Sequence, residues 1–253
     1  METKVKPIFL LADSQVLFFR GTDADSGREE LFMERVRRLL ANGDPEQPVK
    51  AAYIGASNGD KPEYYDIFLA AMNQVDISPA QCRMIPSLST SKEDLEFLES
   101  SDLILLAGGD VEQGWKIIKE KFQEIVVNRY YNGAVLIGIS AGAVQLGLRG
   151  RTEGGPINDS LFETFQLVPA VVSAHDEEND WDGLRAVVEH MGAFTRGFGI
   201  PTGGAAAYHP DWSFEAIRHP LVEFSFVKDD SENVEFKRSM IFPSKPGAVE
   251  VIQ

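Results

Sequence analysis

Apolar runs of strand length alternate with segments of helical period through the first half of the chain, and this rhythm limits the fold more than any other feature. It is the pattern of βαβ units on a parallel sheet. The expected strands are Val5–Ala12, Val49–Ala56, Gln81–Pro86, Asp102–Ala107 and Ala134–Ile139, and the expected crossover helices are Arg28–Ala41, Pro62–Val75, Ser91–Glu99 and Glu112–Val127. Ser91 with Asp94 three residues on forms a capping pattern, and Pro62 suits a first helical turn. Beyond Gly150 the rhythm loosens. A polar, Gly-rich stretch (Arg149–Ser160) precedes a strand-like Phe165–Ser173, a helix Trp181–Met191 and further strands near Gly199–Tyr208, with Val234–Phe242 and Gly247–Ile252 as edge strands. There is no internal repeat and no low-complexity linker. The expectation is one α/β domain over 1–253, a three-layer αβα arrangement with a mostly parallel sheet, whose C-terminal third extends or covers that sheet.

Composition narrows the partners. A net charge of −15 disfavours tracking a phosphate backbone or an anionic membrane, so neither nucleic acid nor membrane is expected. The single cysteine, Cys82, cannot form an internal disulfide, reads as a small hydrophobe in a strand, and fits a reducing compartment. The apolar stretch from Pro7 to Phe19 is interrupted by Asp13 and lacks a cleavage site, so a cytoplasmic location is expected. Ala134–Leu148 is broken by glycines and Ser140 and is too short to span a bilayer. His and Cys spacing suggests no metal site, and Rossmann and Walker patterns are absent, so neither metal nor cofactor is expected.

The chemistry concentrates at Gly138-Ile139-Ser140-Ala141-Gly142, a G-x-S-x-G run that follows one apolar strand and opens the helical segment Ala143–Leu148. A serine at such a turn is held in a strained conformation and projects above the sheet, while the N–H of the next residue, Ala141, faces an oxyanion. The bland alternative is a Gly-rich turn that merely packs closely. A second turn, Ala107-Gly108-Gly109-Asp110, ends the preceding strand at the same carboxyl edge, so Gly109 is a candidate second oxyanion donor.

Gly108-Gly109-Asp110-x-x-Gln113 followed by Gly-x-Ser140-Ala141-Gly142-Ala143 resembles the family that contains peptidase E and cyanophycinase, related to class I glutamine amidotransferase-like folds. The resemblance implies a serine hydrolase with a Ser-His-Glu triad. His175, after the strand ending Val171-Val172-Ser173-Ala174, matches the family's base; His190, His209 and His219 read as surface or capping residues. The family's Gly-Ile-Asp-Glu stretch corresponds here to Gly199-Ile200-Pro201-Thr202, so Thr202 stands where the glutamate should be. Asp176, Glu177 and Glu178 lie near His175, although acidic runs in loops are usually solvated. The arginines that cyanophycinase carries after its histidine are also missing, Arg185 being the nearest basic residue downstream. So many carboxylates would repel an acidic side chain and favour a cationic or neutral amide.

The function expected is that of a serine hydrolase acting on an amide or peptide bond, with Ser140 as nucleophile, His175 as base, and Gly109 and Ala141 holding the oxyanion. The alternative is a catalytically silent binding or regulatory protein on the same fold. A small peptide or amide is the expected partner, and a homodimer is left open.

Overall fold

The computed structural model describes residues 5–22, 29–40, 48–75, 80–152, 156–228 and 234–244. Strand β1 (Ile8–Leu11) leads to an antiparallel pair, β2 (Arg20–Thr22) and β3 (Glu29–Leu31), and then to α1 (Phe32–Leu40). Next come β4 (Val49–Ile54), α2 (Pro62–Asn73), β5 (Ala80–Ile85), α3 (Lys92–Glu99) and β6 (Leu103–Leu106). The helices α4 (Val111–Lys121) and α5 (Gln123–Tyr131) precede β7 (Val135–Ile139) and α6 (Ala141–Leu146). After these the chain forms β8 (Arg149–Arg151), α7 (Ile157–Ser160), β9 (Leu161–Glu163), β10 (Val171–Ala174), α8 (Asp182–Met191) and β11 (Arg196–Ile200). The last elements are β12 (Ala205–Tyr208), β13 (Phe214–Ile217), β14 (Leu221–Lys228) and β15 (Val234–Ile241).

The main sheet has seven strands in the order β13-β12-β1-β7-β6-β4-β5. The five strands from β1 to β5 run parallel, and β12 and β13 add antiparallel to one side. Period-2 alternation explains the layering. Ile8, Leu10, Ile104 and Leu106 face a layer containing Trp115, Phe122, Val126 and Leu146 of the helical segments on one side. Phe9, Leu11, Leu103 and Leu105 face Met33 and Val36 of α1 and Phe68 and Met72 of α2 on the other. Helices on both sides of a mostly parallel sheet match the expected fold class.

Several expectations need correction. Helix Arg28–Ala41 is shorter: residues 29–31 pair with β2, and the Leu31 N–H donates to Glu34 Oε2 at 2.7 Å, so the helix starts at Phe32; Arg28 and Ala41 lie outside the described residues. Glu112–Val127 is two helices, separated at buried Phe122, where φ is −124° and ψ −17°. The segment Phe165–Ser173 is a strand only from Val171, because the N–H groups of Phe165, Gln166 and Val168 instead donate to the carbonyls of Gln145, Gly147 and Leu146 at the end of α6. The apolar run near Gly199–Tyr208 divides between two sheets. β12 extends the main one, whereas β10, β11, β14 and β15 form a second sheet in that order. Thus only part of the C-terminal third extends the first sheet. β15 is the expected edge strand, while Gly247–Ile252 lies outside the described residues. Among the described residues no helix is long and apolar enough to cross a membrane.

Candidate active site

The elbow is built by close packing. A Cβ on Gly138 would lie 2.5 Å from the Gly142 carbonyl oxygen, and one on Gly142 would lie 2.2 Å from that of Leu106, so neither position accepts a side chain without backbone movement. Between them Ser140 adopts φ 48°, ψ −108°, a region that costs a non-glycine residue on the order of 1–3 kcal/mol. The surrounding bonds hold it there: its N–H donates to Leu11 at 2.8 Å, and its carbonyl accepts from Ala143 and Val144. Ala141 is the first residue of α6, where a backbone N–H has no intrahelical partner.

The Gly108–Gly109 turn lies against this serine, since a Cβ on Gly108 would approach Ser140 Cβ to 3.3 Å. Gly109 has φ +137°, a conformation L side chains rarely adopt, and a Cβ there would overlap the Ser57 carbonyl. That carbonyl accepts from Asp110 N–H at 2.7 Å, and buried Gln145 on α6 donates through Nε2 to Ser57 Oγ and to the Val111 carbonyl, both at 3.0 Å. Ser57 and Gln145 therefore tie the glycine turn to the elbow helix. Sequence reasoning missed both, because neither belongs to a local motif.

His175 reaches Ser140 from the second sheet. Its N–H continues the β10–β11 ladder to the Ile200 carbonyl at 2.9 Å, its φ is 44°, and its Nε2 stands 2.7 Å from Ser140 Oγ. This is hydrogen-bond distance between a hydroxyl and an imidazole. Two residues further on, Glu177 Oε1 accepts from the Thr202 N–H at 3.0 Å. Burial pulls the Glu177 carboxyl upward, but hydrogen bonds from the Thr202 hydroxyl and backbone, with His175 beside it, bring it below the ordinary range. Thr202 thus holds a carboxylate instead of supplying one. Asp176 serves its own turn, accepting from Asn179 Nδ2 at 2.7 Å.

The other histidines are elsewhere. His190 is exposed on α8, and His219 lies by the Gly203 turn. His209 Nε2 is 2.9 Å from Glu215 Oε2, and Glu215 also takes both terminal nitrogens of Arg35. Burial raises the Glu215 carboxyl, but these partners outweigh it and hold it at about 2. Cys82 is half-buried in β5 with its thiol pushed up by burial, as a small core residue should be. Among the described residues no group of His, Cys, Asp and Glu is placed to hold a metal ion.

A model of peptidase family S51 matches residues 17–211, a span that includes Ser140, His175 and Thr202. The chain belongs to peptidase family S51. Membership makes it a serine-type peptidase and bears out the resemblance carried by the elbow and the Gly-Gly turn. A solved peptidase from an acI-B1 Actinobacterium is similar over 97% of each chain, with 14% identity and a TM-score of 0.66. A putative peptidase E protein from Listeria monocytogenes EGD-e is similar over 84% of this chain and 98% of its own, with 15% identity and a TM-score of 0.56. At such identities the likeness is one of fold. No curated protein matches the chain in sequence.

Proposed function

We propose that this S51 peptidase cleaves a peptide or amide bond in a small substrate, with Ser140 as nucleophile and His175 as general base. The observation that carries the reading is the 2.7 Å separation of Ser140 Oγ and His175 Nε2. With the imidazole protonated on Nδ1, Nε2 accepts the hydroxyl proton as Oγ attacks the carbonyl carbon. The N–H groups of Gly109 and Ala141 hold the oxyanion, and the imidazolium then gives its proton to the leaving amine. Water, deprotonated by the same imidazole, hydrolyses the acyl-enzyme and frees Ser140. Glu177 is the positioning acid: its carboxylate, fixed by Thr202, favours the imidazolium that forms during attack. No metal or cofactor is needed for these steps.

The test is reaction with an alkyl fluorophosphonate, which phosphonylates an activated serine. Wild-type protein should be labelled and Ser140→Ala protein should not. Absence of labelling between about pH 6 and pH 9, a range spanning imidazole titration, would favour a silent binding protein on this fold.

A further inference from the structure

The cleft that contains Ser140 and His175 does not end at them. It has a volume of about 660 Å³, within the range of small-ligand sites, and runs from the Gly108–Gly109 turn toward α2. Its far wall is apolar and largely aromatic: Tyr53 and Phe68 are buried with ring centroids 5.8 Å apart, and Leu17 and Ile67 stand beside them. Tyr64 and Leu88, both exposed, border the same space. Such a wall gains free energy by covering an apolar ring.

The charges around the cleft disfavour an anion. Asp13, Asp60 and Asp110 line it, against one lysine, Lys61, among the described lining residues. Each carboxylate is already a backbone acceptor: Asp13 from Gln15 and Gly203, Asp60 from Ser87, and Asp110 from Gln113. These bonds hold the three carboxyl groups in place as part of the cleft's lining. Asp60 additionally takes the Ser87 hydroxyl at 2.8 Å, so both its oxygens are occupied.

We infer that this cleft is a side-chain pocket for a large uncharged residue, preferably aromatic, flanking the scissile bond of a short peptide. Acidic side chains are disfavoured there. The inference rests on the Ser140 reading above and deepens it. An aromatic ring entering the cleft would pack on Tyr53 and Phe68, with Tyr64 closing over its outer edge.

Calorimetry with Ser140→Ala protein measures binding without turnover. The ligands are N-acetyl-Phe-Ala-amide and N-acetyl-Ala-Phe-amide, each with its Asp counterpart; the blocked ends leave the side chain as the only charge. At least one Phe peptide should bind about tenfold or more tightly than its Asp counterpart, as expected when a ring fills an apolar pocket. Tyr64→Ala in the same background should reduce that preference several-fold; exposed Tyr64 is not needed for the core, and thermal unfolding verifies this. Equal or tighter binding of the Asp peptides, or a preference unmoved by Tyr64→Ala in folded protein, would overturn the pocket assignment. Fluorophosphonate labelling of wild type decides the Ser140 reading separately, so either can fail without the other.

Discussion

The two halves of the candidate site are held by different physics. Ser140 sits where a buried parallel strand meets its helix, and glycine contacts that leave no space for a Cβ define its conformation. His175 is exposed, carried by a loop of the second sheet, and tied by two hydrogen bonds, 175 to 200 and 177 to 202. Ser140 is fixed by packing, which is cooperative; His175 is fixed by a few polar contacts open to solvent, which are individually worth about 1 kcal/mol. Substitutions around the serine should therefore disturb folding and activity together. Those around the histidine should change activity and spare the fold.

The largest expected effect lies at Ser140 and His175. Ser140→Ala or His175→Ala should lower turnover about 10⁴-fold to 10⁶-fold, and the two together should cost little more than either alone. Peptide hydrolysis by the three variants measures this, and additive losses would mean that the residues do not act as a unit. Next is Gly142→Ala, which forces a methyl into the Leu106 carbonyl. Overpacking of this kind should cost about 3 kcal/mol or more, seen as a lower midpoint in denaturant titration. A variant as stable as wild type would show that the elbow is not packing-limited.

A smaller effect is expected at Glu177. Glu177→Gln keeps an oxygen for the Thr202 N–H but removes the charge, so kcat should fall about tenfold with KM little changed. An unchanged kcat would make Glu177 a structural staple only. Because Glu177 already occupies the Thr202 donors, Thr202→Glu alone should gain nothing, yet it should restore activity to Glu177→Ala by returning a carboxylate to the same spot.

These contrasts also explain what could be read in advance. Strands β4 to β7 and helices α2 and α3 were legible because apolar periodicity is a local property, and the elbow because its glycines lie within five residues. The second sheet was not. The four-residue turn Pro201–Gly204 sends β11 and β12 into different sheets, a choice made by partners distant in sequence. Glu177 was hidden for a related reason: among neighbouring carboxylates, only its bond to Thr202 distinguishes it, and that bond spans 25 positions.

The smallest effect concerns stability at the first sheet's edge. Glu215 is held at about 2 against an ordinary 4.5, so its contribution is complete above pH 4.5 and is lost as pH falls toward about 2. Glu215→Gln should remove on the order of 1–2 kcal/mol of that acid-dependent stability, allowing for solvent screening. Glu177→Gln should barely alter it, in keeping with its exposed loop.

The most direct measurement is the rate at which Ser140 is phosphonylated, followed by peptide mass mapping between about pH 5 and pH 9, in wild-type and His175→Ala protein. The modification should map to Ser140, and its rate should fall by orders of magnitude without His175. Labelling at another residue, or equal rates in the two proteins, would contradict the assignment of Ser140 and His175 as nucleophile and base.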